Sequence, residues 1–305
     1  MARKRAILIA GPTASGKSAL AMRLAERLDG VVINADSMAV YRDLSILTGR
    51  PELSELSRVP HRLYGHRGAE EPYSVGHWLT EAAAALDAAQ DCGRIAIVVG
   101  GTGLYFKALT AGLSDIPPVP QAIRDRLRAE AAATSASALH ARLASSDPET
   151  AALLRPSDPQ RILRALEVLE ATGRPLSAFQ ARRKPPLIPA DDFAGVVIEP
   201  DRAGLKAAID RRFDRMMDVG AVEEVRRLAA RRLDPALPAM RALGVRPLLA
   251  HLEGALPLDA AIDRAKAETR AYAKRQMTFA RHQLRGFNGG AVSEAEQLCI
   301  QAASI

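Results

Sequence analysis

The run Gly11-Pro12-Thr13-Ala14-Ser15-Gly16-Lys17-Ser18 constrains this chain more than any other stretch. It follows the apolar segment Ala6-Ile7-Leu8-Ile9-Ala10 and leads into a helical pattern that sets Leu20, Leu24 and Leu28 on one face. This is the strand–loop–helix setting of a phosphate loop, with the spacing G-x-x-x-x-G-K-[ST]. The glycines let the backbone wrap a diphosphate so that successive N–H groups point inward. The helix that follows adds its positive N-terminal end. In such a loop Lys17 reaches the terminal phosphate oxygens and Ser18 places its hydroxyl on Mg²⁺. The loop implies a phosphorylated ligand without saying which one.

A chain of 305 residues can bury a large core. Hydrophobic residues make up 48% and the mean hydropathy is -0.05, a balance expected of a soluble globular protein. No apolar run reaches membrane-spanning length. The apolar stretch after the basic start Met1-Ala2-Arg3-Lys4-Arg5 is short and ends in the phosphate loop, which makes it a first core strand and not a signal peptide. Cys92 and Cys299 are too few for a disulfide framework or a zinc cluster, and no histidine spacing suggests a metal site, so a reducing cytoplasm is expected. The net charge is +7, and arginine clusters recur in the second half: Arg124/Arg126/Arg128, Arg161/Arg164, Arg182/Arg183/Lys184, Arg211/Arg212/Arg215 and Arg270/Lys274/Arg275/Arg281. On helices these become either solvated faces or stripes that track a phosphate backbone. Aromatic residues are only 4%, which argues against a base-stacking sheet.

The first part of the chain alternates strand and helix signals. Val31-Val32-Ile33-Asn34 is a second core strand, Ser74 to Gln90 an amphipathic helix, and Ile95-Ala96-Ile97-Val98-Val99 a fully buried strand. Strands alternating with helices predict a parallel sheet. After Ile116-Pro117-Pro118-Val119-Pro120 the signals turn helical, with Asp147-Pro148 and Asp158-Pro159 as N-cap and first-turn proline pairs and Gly173 as a C-cap. Ala194 to Glu199 returns to strand, and helices resume beyond residue 200. The expected architecture is an α/β core of the P-loop NTPase-like kind: a parallel sheet with a helical insertion and C-terminal helices. Its expected bounds are 1–116 and 194–287 for the core, 117–193 for the insertion and 288–305 for a loose tail.

Asp36 stands at the carboxyl end of the second strand, where open α/β sheets place ligands. There it can take a proton from a nucleophile or cap the next turn. The strand ending Val99-Gly100-Gly101-Thr102 lacks the acidic residue with which many P-loop enzymes help hold Mg²⁺. Glycines there admit a ligand close to the backbone, and Thr102 offers a hydroxyl in place of a charge. His61 fits a packing or hydrogen-bonding role in its loop.

The phosphate loop joins Asp36-Ser37 with Tyr41, the Thr48-Gly49-Arg50-Pro51 and Pro60-His61 segments, and Val99-Gly100-Gly101-Thr102-Gly103-Leu104-Tyr105 with Phe106 to Leu109. Further along come Gln160 to Glu167; Ile209, Arg212, Phe213, Met216 and Gly220; and Thr269-Arg270-Ala271-Tyr272-Ala273-Lys274-Arg275-Gln276. This ordered set, which covers nearly the whole chain to about residue 285, resembles the bacterial tRNA dimethylallyltransferases, also called tRNA isopentenyltransferases. The resemblance implies transfer of a dimethylallyl group from dimethylallyl diphosphate to N6 of the adenosine 3′ of the anticodon, in tRNAs reading codons that start with U. The phosphate loop, Gly11 to Ser18, then holds the isoprenoid diphosphate and not ATP. Asp36 is implied as general base, Thr102 as a positioning group, and Lys17 and Arg212 as cations on the leaving diphosphate, with Mg²⁺ at Ser18. Asp36, Ser37, Met38, Ala39, Thr102, Arg124, Gln160, Arg161, Ile162, Leu163 and Arg164 match positions that meet the anticodon stem-loop of tRNA, so the helical insertion is implied to contact it. A cytoplasmic monomer without membrane contact is expected. Leu47, Gly49, Arg50, Ala39, Val245 and Phe279 depart from the family pattern without removing a charge from this chemistry.

Two other readings share the phosphate loop. A small-molecule kinase would use ATP with Asp36 as base, but the missing strand-end acid and the basic helical half oppose it. A nucleic-acid-binding module with a regulatory nucleotide site would not need Lys17, Asp36 and Arg212 together.

Overall fold

The computed structural model describes residues 6–180 and 183–303. The basic start, Met1 to Arg5, and Arg182 of the arginine clusters lie outside the described residues. The chain divides into two compact units, residues 1–110 with 187–305, and residues 111–186.

The first unit is built on a six-stranded sheet, all parallel, of β1 (Ala6–Ala10), β2 (Gly30–Asn34), β3 (His61–Arg62), β4 (Ile95–Gly100), β5 (Phe193–Ile198) and β6 (Phe287–Gly290). Their order across the sheet is β3-β2-β4-β1-β5-β6. The helices of this unit's first half are α1 (Lys17–Leu28), α2 (Leu53–Arg58), α3 (Val75–Asp91) and α4 (Gly103–Ala111). Strand alternation sorts the sheet residues cleanly. Leu8, Ile33 and Val98 point to one face, against Trp78 of α3 and Phe106 and Leu109 of α4. Ile7, Ile9, Val32 and Ile97 point to the other, against Leu20 and Leu24 of α1. A parallel sheet covered on both faces needs continuous apolar strands, which is what β1 and β4 supply.

The second unit holds α5 (Gln121–Ala133), α6 (Ala136–Ser146), α7 (Pro148–Leu153), α8 (Pro159–Thr172) and α9 (Leu176–Gln180). Asp147 and Asp158 cap α7 and α8 by accepting the Thr150 and Arg161 N–H groups, each with proline at the first turn. Leu127, Leu139, Leu143, Ile162 and Leu166 form its core. After β5 the first unit continues with α10 (Arg202–Asp218), α11 (Ala221–Ala230), α12 (Val245–Leu252) and α13 (Leu258–Gln283). These close over Val40, Tyr41 and Leu44 through Phe213, Val225, Val245 and Leu248. Among the described residues no helix is long and apolar enough to cross a membrane.

One expectation fails here. Residues 288–303 are not a loose tail: β6 pairs in register with β5, and α14 (Val292–Ala303) packs Ala295 and Cys299 into the core beside α1. The Phe-Asn-Gly-Gly composition of β6 hides the strand, because a glycine-rich edge strand carries no alternating apolar pattern. Burial raises the Cys299 thiol to about 12, as expected for a thiol surrounded by apolar groups. Cys299→Asp would bury a carboxylate there, and urea denaturation should show a loss of about 3 kcal/mol. An unchanged midpoint would mean that α14 does not pack on the core.

Candidate active site

The phosphate loop bridges β1 and the first turn of α1. Two residues in left-handed backbone, Ala14 (φ 62°) and Gly16 (φ 84°), bend it around its own centre. A non-glycine residue at positive φ is strained, and such strain gathers at ligand sites. The Ser15 hydroxyl is buried in the loop with no hydrogen-bond partner. Lys17 is also buried, and its ammonium donates to the Pro12 carbonyl at 3.0 Å. Burial, with Arg212 adding to it and Asp36 opposing, lowers Lys17 to about 8. Burial lowers Arg212 as well, and Asp36 pulls it back up. Both cations are thus held short of solvation, ready for an anion.

A cavity of about 490 Å³ opens over this loop. Lys17, Ser18, Asp36, Arg211, Arg212 and Arg215 all line it. Arg212 reaches in from α10, donating to Thr13 Oγ1 at 3.2 Å and to the Thr48 carbonyl at 3.3 Å. The loop that carries Thr48 is held by Glu224 of α11. The Glu224 carboxylate is 1% exposed and accepts the N–H groups of Ser45, Ile46 and Leu47 and the Ser45 hydroxyl. Glu52 and Glu55, also on the cavity wall, form the capping box of α2.

Asp36 occupies the turn after β2, which Asn34 organises. Asn34 accepts the Asp36 N–H and donates to the Asp36 and Leu63 carbonyls. The Asp36 carboxylate accepts the Met38 N–H at 2.9 Å, so it caps its turn while one edge of it borders the cavity. Of the two roles weighed for it from sequence, the capping role is present in the structure. Thr102 accepts the Ser37 N–H at 2.9 Å, tying the β4 end to the Asp36 turn. Beneath this junction Trp78 donates to the Asn34 carbonyl and stacks on Tyr105, with centroids 4.3 Å apart.

The glycines at the end of β4 are required by the protein's own packing. A Cβ at Gly100 would lie 2.1 Å from the Ala35 carbonyl oxygen, and one at Gly101 would lie 2.0 Å from Gln276 Nε2. Both positions are approached closely by the protein's own groups, and Gly100 also lines the cavity.

The structure places Asp36, Ser37, Ala39, Thr102, Lys17, Ser18 and Arg212 in one neighbourhood, with Met38 beside them. In the helical unit Gln160 and Arg161 are exposed, and Arg161 pairs with Asp158 at 3.4 Å. Arg164 pairs with the buried Glu167 at 3.2 Å, and Arg124 is half-buried. Ile162 is corrected: its side chain is fully buried in the unit's core, so it is not an RNA contact, and Leu163 packs against that core. Of the departures from the family pattern, Leu47 and Val245 are core residues, and the ring of Phe279 rests against Gly103. Sequence reasoning missed Asn34 and Glu224 as organisers. It also missed Tyr64, which lines the cavity and forms an edge contact with His61, while His61 itself bonds the Val59 carbonyl.

Comparison with known proteins bears on this arrangement. The family model for IPP transferase matches residues 39–283, and that for isopentenyl transferase matches residues 4–70. A tRNA dimethylallyltransferase of Methylocella silvestris is 58% identical over 299 residues, 98% of this chain and 99% of the relative. The chain belongs to the tRNA dimethylallyltransferase family. A second such relative, from Beijerinckia indica, is 58% identical over 291 residues, 95% of this chain and 96% of its own. Among solved structures, the full-length tRNA isopentenylpyrophosphate transferase of Bacillus halodurans superposes with a TM-score of 0.70 at 30% identity, over 99% of this chain and 97% of that one. A eukaryotic dimethylallyltransferase captured acting on tRNA gives 0.78 at 28% identity, over 98% and 77%.

Anion binding must raise the lowered Lys17 back toward its ordinary value, so binding takes up a proton above pH 8. The affinity for a simple alkyl diphosphate should be nearly flat between about pH 7 and 8, where the ligand carries its full charge. Above that it should fall by up to about tenfold per pH unit. Calorimetry in buffers of different ionisation heat measures the proton uptake. Lys17→Met should bind weakly and without this pH dependence; the same dependence in the variant would assign the titration elsewhere.

Proposed function

We propose that the protein transfers a dimethylallyl group from dimethylallyl diphosphate to N6 of the adenosine immediately 3′ of the anticodon, in tRNAs that read codons starting with U. One observation carries this reading: a single cavity joins a phosphate loop, two desolvated cations and the Asp36 carboxylate, in a chain of this family. An exocyclic adenine amine is a poor nucleophile because its lone pair is delocalised into the ring. Rate must therefore come from the leaving group and from proton removal. The C1–O bond of the allylic diphosphate breaks as the C1–N6 bond forms. The N6 proton passes to Asp36, and the diphosphate leaves onto the loop N–H groups, Lys17 and Arg212. The strand end Gly100-Gly101-Thr102, which lacks an acid, favours this over phosphoryl transfer from ATP.

A magnesium ion fits the donors present. The Ser18 hydroxyl is exposed at the cavity and the Asp36 carboxylate borders it, while the described residues hold no group of three or more His, Cys, Asp or Glu that could bind a metal. Mg²⁺ keeps most of its ligands as water and phosphate oxygens, so a site with few protein donors suits it. Ser18 would hold the ion, which when bound supplies charge neutralisation to the diphosphate. On the RNA side, Ser37, Met38, Ala39 and Thr102 at the cavity, and Arg124, Gln160, Arg161 and Arg164 of the helical unit, serve the anticodon stem-loop. The protein acts in the cytoplasm as a monomer.

Asp36→Asn should lower single-turnover transfer by ~10²–10⁴-fold with little change in tRNA affinity. Mass spectrometry of digested tRNA after incubation with dimethylallyl diphosphate and Mg²⁺ reads the product. A variant within about threefold of the parent would remove Asp36 from the chemistry. Arg161→Ala should flatten the log–log salt dependence of tRNA binding by roughly 0.7–0.9, the value of one phosphate contact. An unaltered slope would leave Arg161 to its pairing with Asp158.

A further inference from the structure

Gln276 of α13 touches two segments far from it in sequence. Its Oε1 accepts the Thr13 N–H at 3.0 Å, and its Nε2 donates to the Gly101 carbonyl at 2.9 Å. One contact lies in the phosphate loop and the other at the end of β4. Hydrogen bonds continue from each side. Thr13 Oγ1 accepts from Arg212, which also donates to the Thr48 carbonyl. Thr102, the neighbour of Gly101, accepts the Ser37 N–H beside Asp36. Tyr272, one turn earlier on α13, is half-buried near Asp36, and burial together with that carboxylate raises its hydroxyl to about 12. Hydrogen bonds, carried on through the backbone of Thr13 and of Gly101–Thr102, therefore link the diphosphate side of the cavity to the acceptor side, and Gln276 is the middle member.

The chemistry of the two contacts selects the residue. An N–H on one side requires an acceptor and a carbonyl on the other requires a donor, and a primary amide offers both at once. The network also fixes which amide end is which. Gly101 belongs to the same arrangement, because a side chain there would collide with the incoming amide.

We propose that Gln276 is a positioning residue that fixes the separation between the phosphate loop and the Gly101–Thr102 turn, and with it the alignment of C1 of the isoprenoid against N6 of the adenosine. This rests on the transfer reaction proposed above. A misplacement on the order of 1 Å costs about 10²-fold in a reaction that depends on alignment. The residue touches neither reacting atom, so its effect belongs in turnover and not in RNA affinity.

Two variants test it. Gln276→Met keeps the volume and loses both hydrogen bonds. Gln276→Glu keeps the acceptor for Thr13 but sets a carboxylate against the Gly101 carbonyl. With saturating dimethylallyl diphosphate and tRNA, turnover should fall roughly tenfold to 10²-fold in both. The tRNA dissociation constant should stay within about twofold of the parent. Parent-like turnover in either folded variant would overturn the inference, even alongside a lowered melting temperature. So would a loss of turnover matched by an equal loss of tRNA affinity. The parent distinguishes the two levels: a parent that makes no prenylated adenosine sinks the transfer reaction and this inference with it, whereas an active parent with unimpaired variants sinks only the role of Gln276.

Discussion

The Lys17 ammonium sits in a buried loop with the Pro12 carbonyl as its hydrogen-bond acceptor, and burial has lowered it to about 8. Holding a cation there opposes folding, since the charged form is disfavoured in low dielectric. The surroundings tolerate it because β1 and α1 are rigidly set by the two-sided core, with Ile7, Ile9, Leu20 and Leu24 fully buried beneath the loop. Arg212 shares this condition from a different element. The two together form a site of positive potential that the single Asp36 carboxylate offsets only in part, and a diphosphate leaving group would supply the rest.

The acceptor side is built by a contrasting principle. Asp36, Ser37 and Thr102 stand on turns in which the polar groups bond one another, from Asn34 through Met38. Satisfied networks of this kind hold geometry well in a partly dry site. A strongly charged phosphate-loop side facing a well-bonded Asp36 side suits the proposed transfer, in which negative charge departs in one direction and a proton in the other. The glycine pair at the end of β4 serves that coupling, because Ala35 and Gln276 both pack against it.

Much of this was legible in the chain because the information is local. The phosphate loop is eight contiguous residues between an apolar strand and an amphipathic helix, and the Asp-Pro pairs mark the starts of α7 and α8 directly. The contacts that the chain does not display are non-local or compositionally silent. Gln276 meets partners 263 and 175 positions away, and Glu224 meets a loop 177 to 179 positions away, so no spacing rule reveals them. β6 escaped because glycines carry no strand signal. Ile162 is a separate case. The recurrence of Ile162, Ala165 and Leu166 at helical spacing already marks a core face, and the pattern was outweighed by the family likeness of its neighbours.

In the proposed reaction the phosphate loop serves a departing diphosphate and not a transferred phosphoryl group. The most direct measurement is stoichiometry in a single reaction that contains tRNA, Mg²⁺, dimethylallyl diphosphate and labelled ATP. One diphosphate should be released for each dimethylallyl adenosine formed, with the ATP intact. Consumption of ATP in step with product, or phosphate transferred to an acceptor without prenylated adenosine, would contradict it.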